Sequence, residues 1–317
     1  MTQPLIHVLL LLTLLCVPTL GLAKEKKPKA PEPSISERAE IRKLMVRLGR
    51  ARHEAKRSEA ATQLSKFGPK AEMSVPALAQ ALKDRDSNVA CAAAFALGKV
   101  GVYSKAAVTG LMKALSGGSR PELKQAAAEG LGLIGPNAQA AIPALLKALE
   151  SGEVDLRSKA ARALGLIGPK AATRGVPALR KVLEDSEKGP RLAAAIALIQ
   201  LGEKSPDLAK VLAGAVSRSG GAIVQTRQAA CEALATLGPP AKPALSVLIA
   251  AVREEPEINK TLPYAAQRLE QHESFRRAAI LALGEIGDEE ARPALERAAK
   301  VSSLEEAAKA ALAKLKG

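Results

Sequence analysis

The sequence predicts an all-α protein, a right-handed α-α superhelix of about seven two-helix repeats. Two observations indicate this class. The 317 residues are 47% hydrophobic but only 2% aromatic, so Ala, Leu, Val and Ile supply most apolar side chains, and Ala and Leu favour helices. In addition, an apolar segment of the form L-x-x-[apolar]-G recurs at intervals of 33, 34, 33, 34, 36 and 49 residues, a period typical of stacked helix pairs. Its glycines are Gly68, Gly101, Gly135, Gly168, Gly202, Gly238 and Gly287.

Residues 1–23 are predicted to be a signal peptide. Residues 5–22 are almost entirely apolar, and the small residues Gly21 and Ala23 precede a suitable cleavage site after Ala23. A leucine before Cys16 does not fit a lipoprotein signal, so we expect export, to the periplasm or the medium, without lipid attachment. The alternative is an uncleaved N-terminal membrane anchor, because the 18 apolar residues can just span a bilayer and no Lys or Arg precedes them.

Residues 24–36 are predicted to be a disordered linker, because they are charged, rich in proline and without apolar periodicity. Residues 37–53 are predicted to form a basic N-terminal helix. Residues 24–70 contain 14 Lys and Arg against 6 Asp and Glu, and so carry +8 of the net charge of +15. This concentration makes an anionic envelope surface, lipid or polymer, a candidate partner. The residues expected to contact it are Arg42, Lys43, Arg47, Arg50 and Arg52.

Residues 54–302 are predicted to contain the repeats. In each copy an Ala-rich first helix ends at the recurring glycine, which readily adopts the left-handed conformation of a helix C-terminus. Proline follows this glycine at positions 69, 136, 169 and 239 and prevents the helix from continuing. A second helix comes next, often with proline in its first turn, as in IPALLKAL (142–149) and VPALRKVL (176–183). Residues 303–317 are predicted to form a polar-faced C-terminal cap helix.

This pattern resembles HEAT repeats, in the short bacterial form found in phycobilisome-lyase-like proteins. The markers are V-R-x-x-A-A-x-A-L-G-x-I-G followed by P-A-L-x-x-A-L, and the resemblance covers residues 37–317. It implies a HEAT/armadillo-type α-solenoid whose second helices line the concave face. Because it depends on the repeat consensus alone, it carries no lyase activity or pigment site to this chain.

The segment GLGLIGP (130–136) contains the spacing G-x-G-x-x-G of a dinucleotide-binding loop. That loop follows a strand and opens a helix, whereas this copy lies at the end of an Ala-rich helix and Pro136 follows it. The next repeat has Ala163 in place of Gly130. We therefore interpret the last two glycines as a repeated helix end, and Gly130 as an incidental small residue.

Two rows of basic residues recur at fixed positions in the repeats. The first stands eleven residues before the recurring glycine, and consists of Arg57, Lys124, Arg157, Arg191, Arg227 and Arg276. An anion-binding row is one interpretation. The favoured one comes from the resemblance, because HEAT-like arrays place here an Arg that pairs with an acidic residue of the inter-helix loops. The available partners are Asp84, Asp86, Asp185 and Glu187.

The second row lies in the second helices and is the candidate binding site. It consists of Lys113, Lys147, Lys181, Lys210 and Arg297, with Gln80 and Val247 at the equivalent positions of two further copies. On a concave face such a row attracts an acidic protein; the alternative is an ordinary solvated helix face. The longest interval holds an insert at 254–271, where a loop contact through Leu262, Pro263 and Tyr264 competes with a merely tolerated insertion.

The residues needed for catalysis or for a cofactor do not assemble in the sequence. Beyond the signal segment only His53 and His272 remain, which is too few for the iron site of HEAT-like hydroxylases. Cys91 and Cys231 lie in apolar helical segments, and the scarcity of aromatic residues argues against nucleic acid. We therefore expect a non-enzymatic exported scaffold without a cofactor. The alternatives are a protein attached to an anionic envelope surface and an accessory subunit or metal-dependent enzyme.

Overall fold

The computed structural model describes residues 30–118, 120–217, 223–255 and 264–315, and within these ranges the regular structure is helical. None of the described helices has both the length and the apolar character needed to cross a membrane. In chain order the α-helices are α1 (Ile35–Arg50), α2 (Glu54–Lys66), α3 (Val75–Ala81), α4 (Ser87–Val100), α5 (Lys105–Ser116), α6 (Pro121–Ile134), α7 (Ile142–Ala148), α8 (Val154–Ile167), α9 (Ala172–Val182), α10 (Lys188–Gln200), α11 (Pro206–Val216), α12 (Val224–Leu237), α13 (Leu245–Arg253), α14 (Ala265–Ile286), α15 (Arg292–Ala298) and α16 (Glu305–Leu315).

The helices form two layers. The even-numbered helices α2 to α16 pack one against the next as the A layer, and the odd-numbered helices α1 to α15 form the B layer. Pairs α2/α3 to α14/α15 are the predicted repeats, α1 covers one end of the array, and α16 covers the other. The core between the layers consists mainly of Ala and Leu side chains, with Ile and Val among them. The predicted all-α superhelix is thus confirmed.

The recurring glycine ends the first helix of each pair, as predicted. Six of the seven have a positive φ, between 53° at Gly68 and 94° at Gly202, a conformation that glycine adopts at little cost. Gly101 is the exception, with φ of −89°. A Cβ atom there would lie 2.2 Å from the Cβ atom of Ala107, so Gly101 is required by close packing against α5.

Two arginines of the first basic row connect the loops on either side of their helix pairs. Arg57 donates from Nε and Nη2 to the Asp84 carboxylate at 2.8 and 2.9 Å, and Arg157 makes the same bidentate contact with Asp185 at 2.6 and 2.8 Å. Each also donates to a carbonyl of the preceding loop, Ala51 or Ser151, at 3.0 and 2.9 Å. These hydrogen bonds from arginine hold the pKa of both Asp carboxyls below the usual value. The structural interpretation is thus confirmed at Arg57 and Arg157, whereas Arg191 and Arg276 donate to backbone carbonyl oxygens.

Two of the four acidic residues proposed as partners of the first basic row, Asp86 and Glu187, do not pair with it. Asp86 accepts a hydrogen bond from the backbone N–H of Val89 at 3.0 Å and so caps α4. Glu187 donates its own N–H to Asp185 at 2.9 Å. Within the described residues neither carboxylate forms an ion pair with the row, because their position after the second helix places them at the start of the next first helix.

Small residues set the spacing of the A layer, and here the interpretation of Gly130 was wrong. A Cβ atom on Gly98 would lie 2.7 Å from the Cα atom of Gly130, and one on Gly130 would lie 2.7 Å from the carbonyl oxygen of Ala94. Gly130 is therefore required where α4 and α6 meet. The same contact recurs between Gly132 and Ala163 at 3.1 Å, Gly165 and Ala197 at 2.8 Å, and Gly284 and Ala311 at 2.9 Å.

Three copies have another residue in place of this glycine, namely Ser65, Ile199 and Ala235. Ile199 of α10 stands at the position of Gly132 and Gly165, and α10 packs less closely on α12 than the neighbouring A-layer helices pack on each other. A groove of about 720 Å³ lies along α10 and is lined by residues of α8, α10 and α12. A bulky β-branched side chain in place of glycine thus widens one step of the array.

Candidate functional site

The predicted binding row lies on the exposed side of the B layer, here called the B face, which is formed by α3, α5, α7, α9, α11, α13 and α15. In α5, for example, Lys113 is exposed while Leu111 and Leu115 on the other side of the helix are buried. Lys147, Lys181, Lys210 and Arg297 are likewise exposed in α7, α9, α11 and α15. The helical period therefore separates the row from the core.

The charge of the B face is strongly asymmetric. Between α3 and α11, the second helices contain seven basic residues and one acidic residue, Asp207, which accepts a hydrogen bond from Arg180 at 3.0 Å. The basic residues are Lys105, Lys113, Lys147, Arg174, Arg180, Lys181 and Lys210. Among the described residues no carboxylate pairs with any lysine of the binding row. The lysines of the row thus have no carboxylate partner within the described residues.

The row is continuous over four repeats and then interrupted. Lys113, Lys147, Lys181 and Lys210 belong to consecutive pairs, from α4/α5 to α10/α11. In α13 the equivalent residue is Val247, which is partly buried against the core. This separates Arg297 from the other four, so the structure brings together the lysines but not Arg297.

A groove of about 720 Å³ lies at the α3 end of this lysine row, between α3 and α5. Its floor is mostly apolar and three cations line it; the lining includes Ala79, Leu82, Lys83, Ala106, Gly110, Lys113, Ala114, Arg120 and Leu123. This groove was not predicted from the sequence. The available signal was Gly110, which replaces the alanine of the Pro-Ala-Leu motif in this one copy.

The basic residues proposed to contact an anionic surface are on or next to α1. Arg42 and Arg50 are exposed on the helix, and Arg52 is exposed in the loop after it. Lys43 lies 3.6 Å from Glu40, and the partly exposed Arg47 lies 3.9 Å from Glu59. Two apolar side chains share this surface, Ile35 at 91% and Val46 at 56% exposure.

The predicted insert is only partly a loop. Leu262 and Pro263 lie outside the described residues, and Tyr264 is 76% exposed with φ of 68°. Residues 265–271, expected in the loop, are instead the first two turns of α14, which is longer than the other described helices. Helix-forming residues in AAQRLEQ explain this extension.

The remaining nucleophilic and metal-binding side chains are dispersed. Burial raises the pKa of the Cys231 thiol to about 12 and also raises the pKa of Cys91. His53 is the exposed N-cap residue of α2, whereas His272 is buried in α14 near the other end of the array. Within the described ranges, no three His, Cys, Asp or Glu side chains converge as metal ligands.

A buried polar cluster joins α12 to the start of the insert, and it was not anticipated. Arg227 donates to the Glu254 carboxylate at 2.9 and 2.5 Å and to the carbonyl oxygen of Val216 at 2.8 Å. Its guanidinium carbon lies 4.2 Å from the ring centre of Phe275. The Nε2 atom of His272 lies 3.5 Å from the Glu254 carboxylate. The cluster replaces the Arg–Asp contact of the earlier repeats.

His272 should make stability depend on pH. Burial lowers its pKa and outweighs the opposing effect of Glu254, so the unfolded chain binds a proton more readily than the folded one. Stability is therefore fully present above the unfolded pKa of about 6.5 and falls as the pH decreases below it. We expect the melting temperature to fall between about pH 7 and pH 5.

Thermal melts across this interval, followed by circular dichroism, test the assignment. His272→Gln removes the titrating group and should flatten the dependence, whereas His53→Gln, at an exposed position, should leave it unchanged. An unchanged slope in His272→Gln would show that other groups cause it.

Comparison with known proteins gives a consistent picture. A family model described as HEAT repeats matches residues 41–132, 108–199 and 142–226, and a model described as PBS lyase HEAT-like repeat matches residues 275–300. No curated protein matches the chain in sequence.

Solved structures share the fold at low sequence identity. A chain of the CpcE–CpcF complex of phycocyanin lyase from Nostoc sp. PCC7120 is 23% identical with a TM-score of 0.55, covering 92% of this chain and 97% of that one. YibA of Escherichia coli is 18% identical with a TM-score of 0.56, covering 90% and 98%. Kap121p bound to Ste12p is 13% identical with a TM-score of 0.54, covering 88% of this chain and 33% of that one.

Proposed function

Because this chain belongs to the HEAT-repeat family, we propose that it is a scaffold that binds an acidic protein on its B face. The observation that carries the proposal is the charge of that face, with seven basic residues and one acidic residue from α3 to α11. In HEAT superhelices the second helices line the concave side, so these charges would surround a bound partner. Repeat arrays commonly use such extended concave surfaces for binding.

Electrostatics would act mainly on encounter and partner choice. Exposed lysines contribute little each to affinity, but several of one sign attract an acidic partner and raise its association rate. Because the Debye length is about 8 Å at physiological ionic strength, salt should weaken the interaction. The described complexes of similar superhelices, CpcE with CpcF and Kap121p with Ste12p, support a role in protein binding.

We also propose that the protein is exported and that it is not an enzyme. The raised thiol pKa values of Cys91 and Cys231 leave both cysteines protonated at neutral pH and therefore poor nucleophiles. Export depends on the apolar residues 5–22 and the cleavage site after Ala23. Mass spectrometry of the cellular protein tests it: a mature chain beginning at Lys24 supports export, and a retained N-terminus indicates the membrane anchor.

Reversing the lysine row should abolish partner capture. In Lys113→Glu/Lys147→Glu/Lys181→Glu/Lys210→Glu the B face becomes acidic and repels an acidic partner. A matched control, Lys56→Glu/Lys66→Glu/Lys99→Glu/Lys170→Glu, changes the net charge equally at exposed positions outside the B face. Affinity capture followed by mass spectrometry should recover the same acidic protein with the wild-type and control chains only. Equal recovery with the B-face variant would refute the proposal.

The surface of α1 favours a second candidate function, attachment to an anionic envelope surface. Arg42 and Arg50 lie beside the exposed apolar side chain of Val46, the combination that interfacial helices use. We expect co-sedimentation with vesicles containing phosphatidylglycerol, lost in Arg42→Glu/Arg50→Glu, and none with phosphatidylcholine alone. Failure to bind the anionic vesicles would remove this candidate.

A further inference from the structure

We propose that the groove between α3 and α5 receives a bulky apolar side chain of the partner, so that the B face recognises an extended acidic peptide with one apolar anchor. The inference rests on the proposed function and specifies the chemistry of the partner. The anchor would occupy the groove, and the acidic residues would follow along Lys147, Lys181 and Lys210.

The shape of the groove suits a side chain. Its volume of about 720 Å³ lies within the range of about 300–1,000 Å³ that is usual for ligand pockets. Ala79, Leu82, Ala114 and Leu123 make the lining largely apolar. An aliphatic or aromatic side chain placed there would lose most of its contact with water, which is the main source of affinity at such an anchor.

Gly110 of α5 lies in the lining of the groove. Five of the other copies have alanine at this position, and α11 has Asp207. A Cβ atom added to Gly110 would lie 3.5 Å from Leu82 Cδ1 and 3.8 Å from the Cβ atom of Ala79. Alanine would therefore fit without displacing a neighbour, and a longer side chain would extend into the groove. The opening is thus controlled by one position that tolerates substitution.

The charges around the groove select an acidic ligand. Arg120 donates to the carbonyl oxygens of Asp84 and Leu82 at 2.7 and 3.1 Å, which fixes its guanidinium beside the groove. Lys83 and Lys113 line the groove as well. Asp84, the carboxylate next to Arg120, already binds Arg57, and in the described chain no carboxylate pairs with these three cations. A basic or neutral peptide would leave them uncompensated.

The spacing of the lysines predicts the pattern of the peptide. Packed helices lie about 8–10 Å apart, and an extended chain advances about 3.3 Å per residue. One repeat therefore corresponds to about three residues. The expected ligand has an apolar residue followed by acidic residues at about every third position, one for each of Lys147, Lys181 and Lys210.

Fluorescence anisotropy with synthetic peptides and the purified chain tests the inference. The probes are a peptide with Phe as anchor followed by three Glu at every third position in a Gly-Ser background, the same peptide with Phe replaced by Ser, and the Phe peptide with Glu replaced by Gln. We expect the Phe–Glu peptide to bind the wild-type chain about tenfold or more tighter than the Ser–Glu peptide. The Gln peptide should bind more weakly than the Phe–Glu peptide.

Filling the groove should remove the preference for the Phe–Glu peptide over the Ser–Glu peptide. The electrostatic contribution of the glutamates to binding should remain. In Gly110→Leu we expect equal, weak binding of the Phe–Glu and Ser–Glu peptides. Gly110→Ala is the matched control and should retain the preference. Ala106→Met fills the groove from an exposed position and provides the same test if Gly110→Leu folds poorly.

The failures of the two proposals are distinguishable. Equal affinity of the Phe–Glu and Ser–Glu peptides for the wild-type chain would overturn the groove inference and leave an acidic partner standing. A preference for Phe that survives in both filled variants would also overturn it. Binding of all three peptides that does not depend on glutamate would overturn the proposed function itself.

Discussion

Replacing Arg227 with alanine is expected to lower the free energy of unfolding by about 3–5 kcal/mol, the cost of breaking a buried ion pair from one side. The Arg227 side chain is only 6% exposed and binds the Glu254 carboxylate with two hydrogen bonds. Its loss leaves Glu254 charged beside His272, deprives the Val216 carbonyl of its donor, and removes the cation from the face of Phe275.

Urea denaturation followed by circular dichroism measures the effect. Two further substitutions show whether the effect is specific to the Arg227 guanidinium. Arg227→Lys keeps the charge but not the planar fork, so its loss should be intermediate. Arg297→Ala removes an exposed arginine from another helix and should change stability by less than about 0.5 kcal/mol. If Arg227→Ala were no less stable than Arg297→Ala, the cluster would not support the fold.

A double substitution separates the contribution of the ion pair to stability from the cost of leaving the buried Glu254 charge without Arg227. Arg227→Met/Glu254→Leu removes both charges and fills similar space, so most of the lost stability should return. Recovery would indicate that the cluster chiefly specifies how α12, α13 and α14 meet. A double variant as unstable as Arg227→Ala would instead assign the stability to the ion pair itself.

The fold was predictable because the same local sequence signals recur from repeat to repeat. Glycine ends the first helix, proline opens the second, and Ala and Leu recur at the helical period, so seven copies agree on one structure. The Arg57–Asp84 and Arg157–Asp185 contacts followed from the same consensus. Features that depart from the consensus were harder to predict, because a feature present in one repeat only forms no recurring pattern in the sequence.

Three departures illustrate this limit. Glu254 takes the place of the usual aspartate at the start of the insert, and nothing in its sequence marks it as the partner of Arg227. The groove depends on the approach of α3 to α5, which is a tertiary feature. Gly130 was judged by comparison with Ala163 of the next repeat, whereas its requirement comes from the carbonyl oxygen of Ala94 in the preceding one. The lysine row was predictable as an exposed stripe, but its lack of carboxylate partners was visible only in three dimensions.

The contact between Gly98 and Gly130 carries the second large expected effect. Gly98→Ala should lower the free energy of unfolding by about 1–3 kcal/mol, the usual cost of overpacking. The new methyl group would lie 2.7 Å from the Cα atom and 2.8 Å from the carbonyl oxygen of Gly130. Both are backbone atoms and cannot rotate away, so α4 and α6 must separate.

Gly110→Ala is the matched control, because it makes the same substitution inside the neighbouring helix α5. Both changes gain the helix propensity of alanine, worth about 0.5–1 kcal/mol, but the added methyl group at Gly110 meets its neighbours at ordinary distances of 3.5 and 3.8 Å. We therefore expect opposite signs, with Gly110→Ala more stable than the wild type and Gly98→Ala less stable. Since repeat arrays can unfold in parts, hydrogen exchange in α4 and α6 should accompany urea denaturation. A stabilised Gly98→Ala chain would show that α4 and α6 do not need glycine to approach, and the spacing of the A layer would then have another cause.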